Sequence, residues 1–245
     1  MATKHEEISS ILIEEILSGR YRPGDRLPSE RDLAARFTAN RGAVREAMKR
    51  LEQLGLAQVQ PGGARVQALE AASLDIVGHL LQRGSLPDAE LVDEILQVMA
   101  ALMRVAAESA VINATAHQIS ELRRLVAPLA EGNLDIESHQ AARLQLLGAF
   151  MQTSGNLVCQ LIARTLLEQL TPRMAPLRSY AQEEFDIPAY AAYYLQLDQA
   201  LATRDIAALR VSLQGFTNLN RETIMRAFLA AKVAEQQPRP EAAAL

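Results

Sequence analysis

GRYRPGDRLPSERDLA at residues 19–34 and NRGAVREAMKRL at residues 40–51 are the two stretches that decide the fold of this 245-residue chain. In the first, Ser29 and Asp32 have the spacing of a capping box, which predicts the start of a short helix. In the second, Asn40 suits the N-cap of another helix. Apolar residues spaced three and four apart predict that this helix buries one stripe, formed by Val44, Met48 and Leu51.

The sequence on either side completes a recognisable element order. Residues 6–18 have helical apolar spacing, and Gly19 suits the end of that helix. After the central stretch, residues 56–60 and 64–67 alternate around Pro-Gly-Gly, which predicts a β-hairpin. Three helices followed by a hairpin within 70 residues are typical of a winged helix-turn-helix.

Basic residues concentrate in the same region. Residues 20–65 contain ten Lys or Arg and five Asp or Glu, whereas the whole chain has a formal net charge of −4. Arg41, Arg45 and Lys49 are one helical turn apart, so they line the face opposite the apolar stripe. An apolar back and a guanidinium front suit the major groove of double-stranded DNA, where arginine pairs with guanine. The alternative is a merely solvated basic helix face.

Two further arginines extend this basic region. Arg31 lies near the start of the second helix, and Arg65 lies on the predicted hairpin beside Gly62 and Gly63. Glycines at a hairpin tip allow close approach of the backbone to DNA, so Arg65 is expected to reach the minor groove. The spread over three elements favours a DNA-binding surface over a solvated helix face.

The rest of the chain predicts a second, all-helical domain. Apolar residues make up 49% of the chain, Trp is absent, and Cys159 is the single cysteine. We expect a mainly α fold, with a winged helix-turn-helix over residues 1–70 and a linker over 71–75. A helical bundle is expected over 76–232 and a disordered tail over 233–245. Without a signal-peptide pattern or a membrane span, the expected location is the cytoplasm.

The motifs quoted above, together with Leu51-Glu-Gln-Leu-Gly-Leu56, resemble the GntR superfamily of bacterial transcription regulators. The resemblance covers about residues 6–67. It implies contacts to the operator from Arg31, Asn40, Arg41, Gly42, Ala43 and Arg45, with Gly62 at the tip of the wing. Many members carry a small hydroxyl residue where this chain has Gly42, and the wing sequence also departs from the commonest one.

The helical part is similar to the effector-binding FCD domain of the FadR-like subfamily. The similarity rests on residues 102–109, on Ser154-Gly155-Asn156 and on residues 200–213. Many such domains bind a divalent metal through one Asp and three His. The corresponding positions here are Arg143, Leu147, Tyr194 and Phe216, which are not usual metal ligands. We therefore expect no metal and no other cofactor.

Arg143 has two interpretations at the sequence level. It is either a surface arginine or a guanidinium that replaces the metal and binds a carboxylate directly. Leu144, Leu147 and Met151 predict a packed stripe with Arg143 at its edge. In the second interpretation Leu147, Tyr194 and Phe216 make the pocket apolar, so the effector is a carboxylate or acyl compound. Arg104 is either a second polar group in this pocket or a tie between helices.

These observations predict a ligand-responsive transcriptional repressor. A palindromic operator requires two recognition helices related by a two-fold axis, so a homodimer is expected. The sequence lacks the nucleophile, phosphate-loop, dinucleotide and zinc-protease motifs that would indicate an enzyme. The alternative is a helical dimerisation or scaffold protein without regulated DNA binding, which leaves the arginine-rich helix unexplained.

Overall fold

The computed structural model describes residues 3–60 and 63–236, which divide into two compact units at Gly84. The expected linker at 71–75 is not where the division lies. Two 3-10 turns, Leu69–Ala71 and Leu74–Ile76, and the short helix α4 (Val77–Leu80) belong to the first unit. The reason is packing, because Ile76 is buried in the core of the first unit.

The first unit has the predicted order of three helices and a hairpin. The helices are α1 (Lys4–Leu17), α2 (Glu30–Arg36) and α3 (Arg41–Gln53). Strands β1 (Ala57–Gln60) and β2 (Gly63–Val66) pair antiparallel, with Ala57 opposite Val66. The winged helix-turn-helix is therefore confirmed. Pro61 and Gly62 lie outside the described residues, so the predicted wing-tip role of Gly62 stays a prediction.

The core of the first unit joins all three helices to the hairpin. Its fully buried side chains include those of Ile8, Leu12, Leu33, Val44, Leu51 and Leu56. Glu15 on α1 is also buried, and it accepts a hydrogen bond from Arg36 of α2 at 2.8 Å and another from Arg20. The Arg36 guanidinium lowers the pKa of the Glu15 carboxyl, with Arg20 acting in the same direction. This ion pair fixes α1 against α2.

The second unit is entirely helical over the residues described. It contains α5 (Ala89–Asn113), α6 (Ala116–Glu131), α7 (Ile136–Thr153), α8 (Leu157–Leu170), α9 (Arg178–Glu183), α10 (Ile187–Thr203) and α11 (Ile206–Gln236). A 3-10 segment, Thr171–Leu177, connects α8 to α9. The last helix continues four residues beyond the predicted boundary at 232. Residues 237–245 of the expected disordered tail are outside the described part of the chain.

The core of the second unit is built from the second half of α5, from α6, α7 and α10, and from the first half of α11. Phe150, Tyr190, Leu201 and Leu209 are among its fully buried residues. Arg204 adopts a left-handed conformation after α10 and donates to the carbonyls of Val111, at 2.8 Å, and of Ala114. These bonds satisfy carbonyls at the end of α5 that helix geometry leaves free.

Helix α5 is the one helix in residues 3–60 and 63–236 that is long and apolar enough to cross a membrane by length and composition. Its buried side chains pack within the second unit and include Val92, Ile95, Met99 and Met103. A core helix of a bundle has the same composition, since it lacks a continuous polar face.

Candidate functional sites

The basic face of α3, formed by Arg41, Arg45 and Lys49, is exposed, and the opposite stripe of α3 is buried. Arg45 Nε lies 2.9 Å from an oxygen of Glu30, and Lys49 Nζ lies 2.8 Å from an oxygen of Glu46. Arg41 makes no ion pair or side-chain hydrogen bond within residues 3–60 and 63–236. The structure therefore presents one unpaired guanidinium and two cations already held by exposed acids.

The start of α3 is organised by its cap. Asn40 Oδ1 accepts a hydrogen bond from the backbone N–H of Ala43 at 2.8 Å. A Cβ on Gly42 would lie 3.1 Å from that same oxygen, so the glycine gives the Asn40 side chain room to cap the helix. The local cap thus supplies a physical reason for Gly42. Asn40, Gly42 and Ala43, which are predicted to contact DNA, therefore lie in one turn that this hydrogen bond fixes.

Arg31 on α2 extends the exposed basic surface. Its side chain is 81% exposed, and its Nε atom is 3.6 Å from Asp32. Ser29 holds Asp32 through a hydrogen bond of 2.6 Å, which lowers the pKa of that carboxyl. The Arg31–Asp32 ion pair is long and exposed, so a phosphate or a base edge can replace it.

Two arginines, Arg65 and Arg26, lie next to each other at the wing. Arg65 Nη1 donates to the carbonyl of Gly24 at 2.8 Å, so its guanidinium is held against the turn before α2. Arg26 forms an isolated bridge with Arg65, and its Nε would lie 3.2 Å from a Cβ on Gly63. Arg26, which no sequence pattern singled out, lies beside the described part of the wing tip. Its position next to Asp25 in the turn before α2 gave no signal of this proximity.

A cavity of about 320 Å³ lies within the second unit, a volume in the range of small-molecule sites. Arg143, Leu147, Tyr194 and Phe216 all line it, although they come from three separate helices. Arg104 does not line it. The Arg104 guanidinium lies 3.7 Å from Glu108, because it projects from the exposed side of α5 next to buried Met103.

Arg143 lies deeper than the sequence predicted. The fully buried residues of α7 include His139 and Phe150, whereas Leu144 of the predicted stripe is 50% exposed. Arg143 is one turn from His139, so it lies on the buried face and not at its edge. Its Nη2 donates to Asn220 Oδ1 at 2.5 Å, and its guanidinium lies 4.8 Å from the centre of the Phe216 ring and 5.1 Å from that of Tyr190.

Two buried polar groups beside Arg143 have no hydrogen-bond partner among the described residues: both ring nitrogens of His139 and the hydroxyl of Tyr194. Burial, assisted by the charge of Arg143, lowers the pKa of His139 to about 4. Burial raises the pKa of Tyr194, and the charge of Arg143 opposes that shift. At neutral pH the imidazole and the phenol are therefore both uncharged. The two ring centres are 5.8 Å apart.

The cavity is electropositive. Its lining contains Arg143, Arg178 and Arg221 and no Asp or Glu. Arg221 is neutralised by two hydrogen bonds of 2.7 Å to Asp93, and this ion pair lowers the pKa of the Asp93 carboxyl. Arg143 and Arg178 have no such acid within the described residues. An anion with an apolar body is the ligand that this lining favours.

The four positions implied for a metal do not supply a metal site. Arg143, Leu147, Tyr194 and Phe216 do converge, but a guanidinium, an alkyl chain and a phenyl ring offer no donor atom to a divalent cation. The phenol of Tyr194 is a poor ligand because burial raises its pKa and keeps it protonated. In residues 3–60 and 63–236 no three His, Cys, Asp or Glu side chains cluster suitably. The chemistry available at this site is anion binding by arginine.

Comparison with known families assigns both units. Residues 4–66 match the bacterial regulatory proteins of the gntR family, and residues 94–216 match the FCD domain. The second match covers half of the chain.

Individual relatives agree with these family matches. The HTH-type transcriptional regulator Mce2R of Mycobacterium tuberculosis (strain CDC 1551 / Oshkosh) is 26% identical over 94% of this chain and 95% of its own. An uncharacterized HTH-type transcriptional regulator of the same species (strain ATCC 25618 / H37Rv) is 39% identical, but over only 40% of each chain. A solved structure titled as Lar, which controls the expression of the Listeria monocytogenes agr system, has a TM-score of 0.53 and 15% identity. It covers 94% of this chain and 98% of that one, and the likeness concerns the fold alone.

Proposed function

The chain is a bacterial transcriptional regulator of the GntR family with an FCD domain, and from this premise we propose that it is a cytoplasmic repressor that binds a palindromic operator as a homodimer. In this proposal a small, acidic and partly apolar effector weakens operator binding. The effector occupies the cavity of the second unit, and no enzymatic step is involved.

The basic face of α3 is the observation that carries the DNA-binding part of the proposal. Arg41, Arg45 and Lys49 project from one side of a helix whose other side is anchored by the buried Val44 and Leu51. Such a helix presents cations to the major groove without loss of its packing. The regional excess of positive charge adds attraction to phosphates, which depends on salt concentration.

An exposed apolar surface supports the homodimer. Helix α5 exposes an apolar residue every seven positions, at Val98, Val105 and Ile112. Helix α8, which packs against α5, exposes Leu157, Val158 and Leu161 in its first two turns. We call these six residues the α5–α8 face. Patches of this kind mark association sites, and a two-fold dimer uses the same patch on both copies. A second copy of the chain is the partner that a palindromic operator requires.

The acid-binding part of the proposal rests on the charge of the cavity. Arg143 faces the cavity with an amide oxygen of Asn220 as its polar partner and no carboxylate. A ligand carboxylate would supply the missing anion, while Leu147 and Phe216 contact the apolar body. Effector binding and DNA binding are then linked. A coupling free energy of ~1 to 3 kcal/mol between two such sites is ordinary.

Selection from a random double-stranded DNA library tests the proposal. The expected product is an inverted repeat, and the affinity for it should fall steeply as salt rises. The double variant Arg41→Ala/Arg45→Ala should lose selection. Arg124→Ala, which removes an exposed ion pair with Glu121 on α6, is the matched control and should select as the wild type does.

Sedimentation of the free protein tests the dimer. Val105→Glu combined with Leu161→Glu should produce monomers, whereas Leu229→Glu at an exposed site of α11 should not. A dimer without salt-dependent DNA binding would contradict the repressor and favour the helical scaffold protein. A wild-type monomer that selects a single half-site would contradict the homodimer.

A further inference from the structure

The turn before α2 pairs with the wing and brings an arginine from outside the hairpin to it. The backbone N–H of Leu27 donates to the carbonyl of Ala64 at 2.9 Å, and Arg26 forms an isolated antiparallel bridge with Arg65 of β2. Successive side chains of extended backbone point to opposite sides. Because Leu27 is buried in the core of the first unit, Arg26 lies on the outer side of the wing, where it is exposed.

Arg26 and Arg65 are like charges in directly opposite positions, which is a destabilising arrangement. Their guanidinium groups separate toward the two ends of β2. That of Arg65 donates to the carbonyl of Gly24, whose own N–H donates to the carbonyl of Val66 at the far end of the strand. That of Arg26 lies along Gly63, the first residue of β2, so near that a Cβ there would be 3.2 Å from Nε. Arg26 is therefore the arginine at the tip end of the wing.

The protein supplies no anion for Arg26 in residues 3–60 and 63–236, where its side chain makes no ion pair or hydrogen bond. Two acids near the wing have backbone partners instead. Asp25 accepts from the N–H of Arg22 at 2.7 Å, and Glu52 accepts from the N–H of Val59 on β1 at 3.1 Å. A cation at the tip of the wing is thus left for an anionic partner.

The length of the hairpin suits a groove other than the one that α3 would enter. Each strand has four residues, so at ~3.3 Å per residue the tip end lies about 10 Å from the start of β1. The major groove is ~12 Å wide, so a helix at its centre is ~6 Å from either phosphate backbone. A wing that runs along the duplex from such a helix passes that backbone and reaches the adjoining minor groove.

We propose that Arg26, and not Arg65, is the wing residue that enters the minor groove, and that it selects A·T pairs there. A narrow, A·T-rich minor groove has an enhanced negative potential that attracts a guanidinium, whereas a G·C pair places an amino group in the groove. Arg65 is a positioning residue that holds the turn against β2 through Gly24. The inference rests on the proposed function as a DNA-binding regulator and deepens it with a specificity determinant outside α3.

Fluorescence anisotropy of the full chain with its selected operator tests the inference. Each adenine is replaced in turn by 2,6-diaminopurine, which adds an amino group in the minor groove and keeps the major-groove edge of the pair. Wild-type affinity should fall about tenfold at one or more adenines of each half-site. Arg26→Ala should bind the unmodified operator more weakly and should no longer respond at those adenines. Arg22→Ala removes another exposed arginine of the same turn and is the matched control, which should keep the wild-type response.

Arg65→Ala completes the comparison, and it should respond at the same adenines as the wild type because its guanidinium bonds Gly24. A response that persists in Arg26→Ala overturns the assignment, and a weaker but uniform affinity of that variant for all DNA would then identify a phosphate contact. A response that disappears in Arg65→Ala also overturns it.

The outcomes separate this inference from the proposed function. If the wild type selects no DNA, the proposed function fails together with this inference. If the wild type selects an operator, Arg41→Ala/Arg45→Ala loses it, and no adenine responds to diaminopurine, this inference alone fails.

Discussion

The Nε atom of Arg45 lies 2.9 Å from Oε2 of Glu30, which links the basic face of α3 to helix α2. Both side chains are exposed, so the ion pair itself contributes at most ~1 kcal/mol to stability. Its effect is orientation, because the guanidinium is directed before DNA arrives and its two Nη groups remain without partners within the described residues. A DNA group can therefore bind the Arg45 guanidinium alongside Glu30, or it can displace the Glu30 carboxylate.

Arg45→Ala should weaken binding to the selected operator by ~1 to 3 kcal/mol if the guanidinium contacts a base edge. The loss should be confined to one operator position, where the variant no longer distinguishes the bases. Fluorescence anisotropy with the operator and its single-base variants measures both effects. A uniform loss over all sequences would assign Arg45 to a phosphate instead.

Lys49→Ala provides the contrasting prediction, since Lys49 is farther along α3 and is paired with Glu46. A phosphate contact should be lost equally from all DNA sequences, and the slope of log affinity against log salt should become shallower by about one. The measurement is a salt titration of operator and unrelated DNA. If Arg45→Ala and Lys49→Ala both bind as wild type, the basic face has been assigned wrongly.

Gly55, at the end of α3, should tolerate no side chain. Its φ is +70°, and a Cβ would lie 2.5 Å from the carbonyl oxygen of Ala71. Gly55→Ala should therefore cost roughly 3 kcal/mol or more through backbone strain and steric overlap. Gly19→Ala is the matched control, because φ is +81° but nothing lies within 4 Å of the added carbon, and it should cost roughly 1 kcal/mol. Urea denaturation gives both values, and equal costs would contradict the close packing at Gly55.

The first unit was largely predictable because local patterns determine it. Caps at Ser29 and Asn40 and the buried stripe of α3 depend on residues three or four positions apart, which a sequence displays directly. The proximity of Arg26 to Gly63 was not predictable, because it depends on how the turn before α2 meets the hairpin.

The second unit was less predictable than the first, because its packing depends on residues that are far apart in the sequence. The all-helical character of this unit follows from the sequence. However, α7 has apolar residues on more than one side, and tertiary packing decides which side is buried. His139 is fully buried on that face, although it is a polar residue. The resemblance to the FCD domain placed Arg143 in the cavity, whereas the apolar periodicity alone placed it at an edge.

His139 should make stability depend on pH. Its pKa is about 4 in the folded chain, below the ordinary value of 6.5, so the unfolded chain binds more protons between these two values. The free energy of unfolding should consequently fall as the pH falls from 7 toward 4, by about 2 kcal/mol between pH 7 and pH 5 for this group. Urea denaturation at both pH values should show this loss in the wild type and a smaller one in His139→Phe. Identical pH dependence in the two proteins would contradict the buried neutral imidazole.

Chelation should leave the second unit unchanged. The positions implied for metal ligands hold Arg143, Leu147, Tyr194 and Phe216, so EDTA should not shift the melting temperature. Elemental analysis of the purified protein should find no stoichiometric divalent metal. A chelator-sensitive melting temperature would show that metal ligands come from other residues than these four.

Arg143→Ala should separate the response to effector from DNA binding. Arg143 belongs to the second unit, so operator affinity without effector should stay near the wild-type value. Release of the operator by an acid such as hexanoate should need at least tenfold more ligand, equivalent to ~1.4 kcal/mol or above. Arg143→Lys should recover part of the response, because lysine keeps the charge but lacks the planar pair of donors that holds a carboxylate. Titration of operator-bound protein measures all three forms, with Arg124→Ala as the control outside the cavity. An unchanged release curve in Arg143→Ala would mean that the arginine only packs against Phe216 and Tyr190 and that the acid, if bound, is held elsewhere.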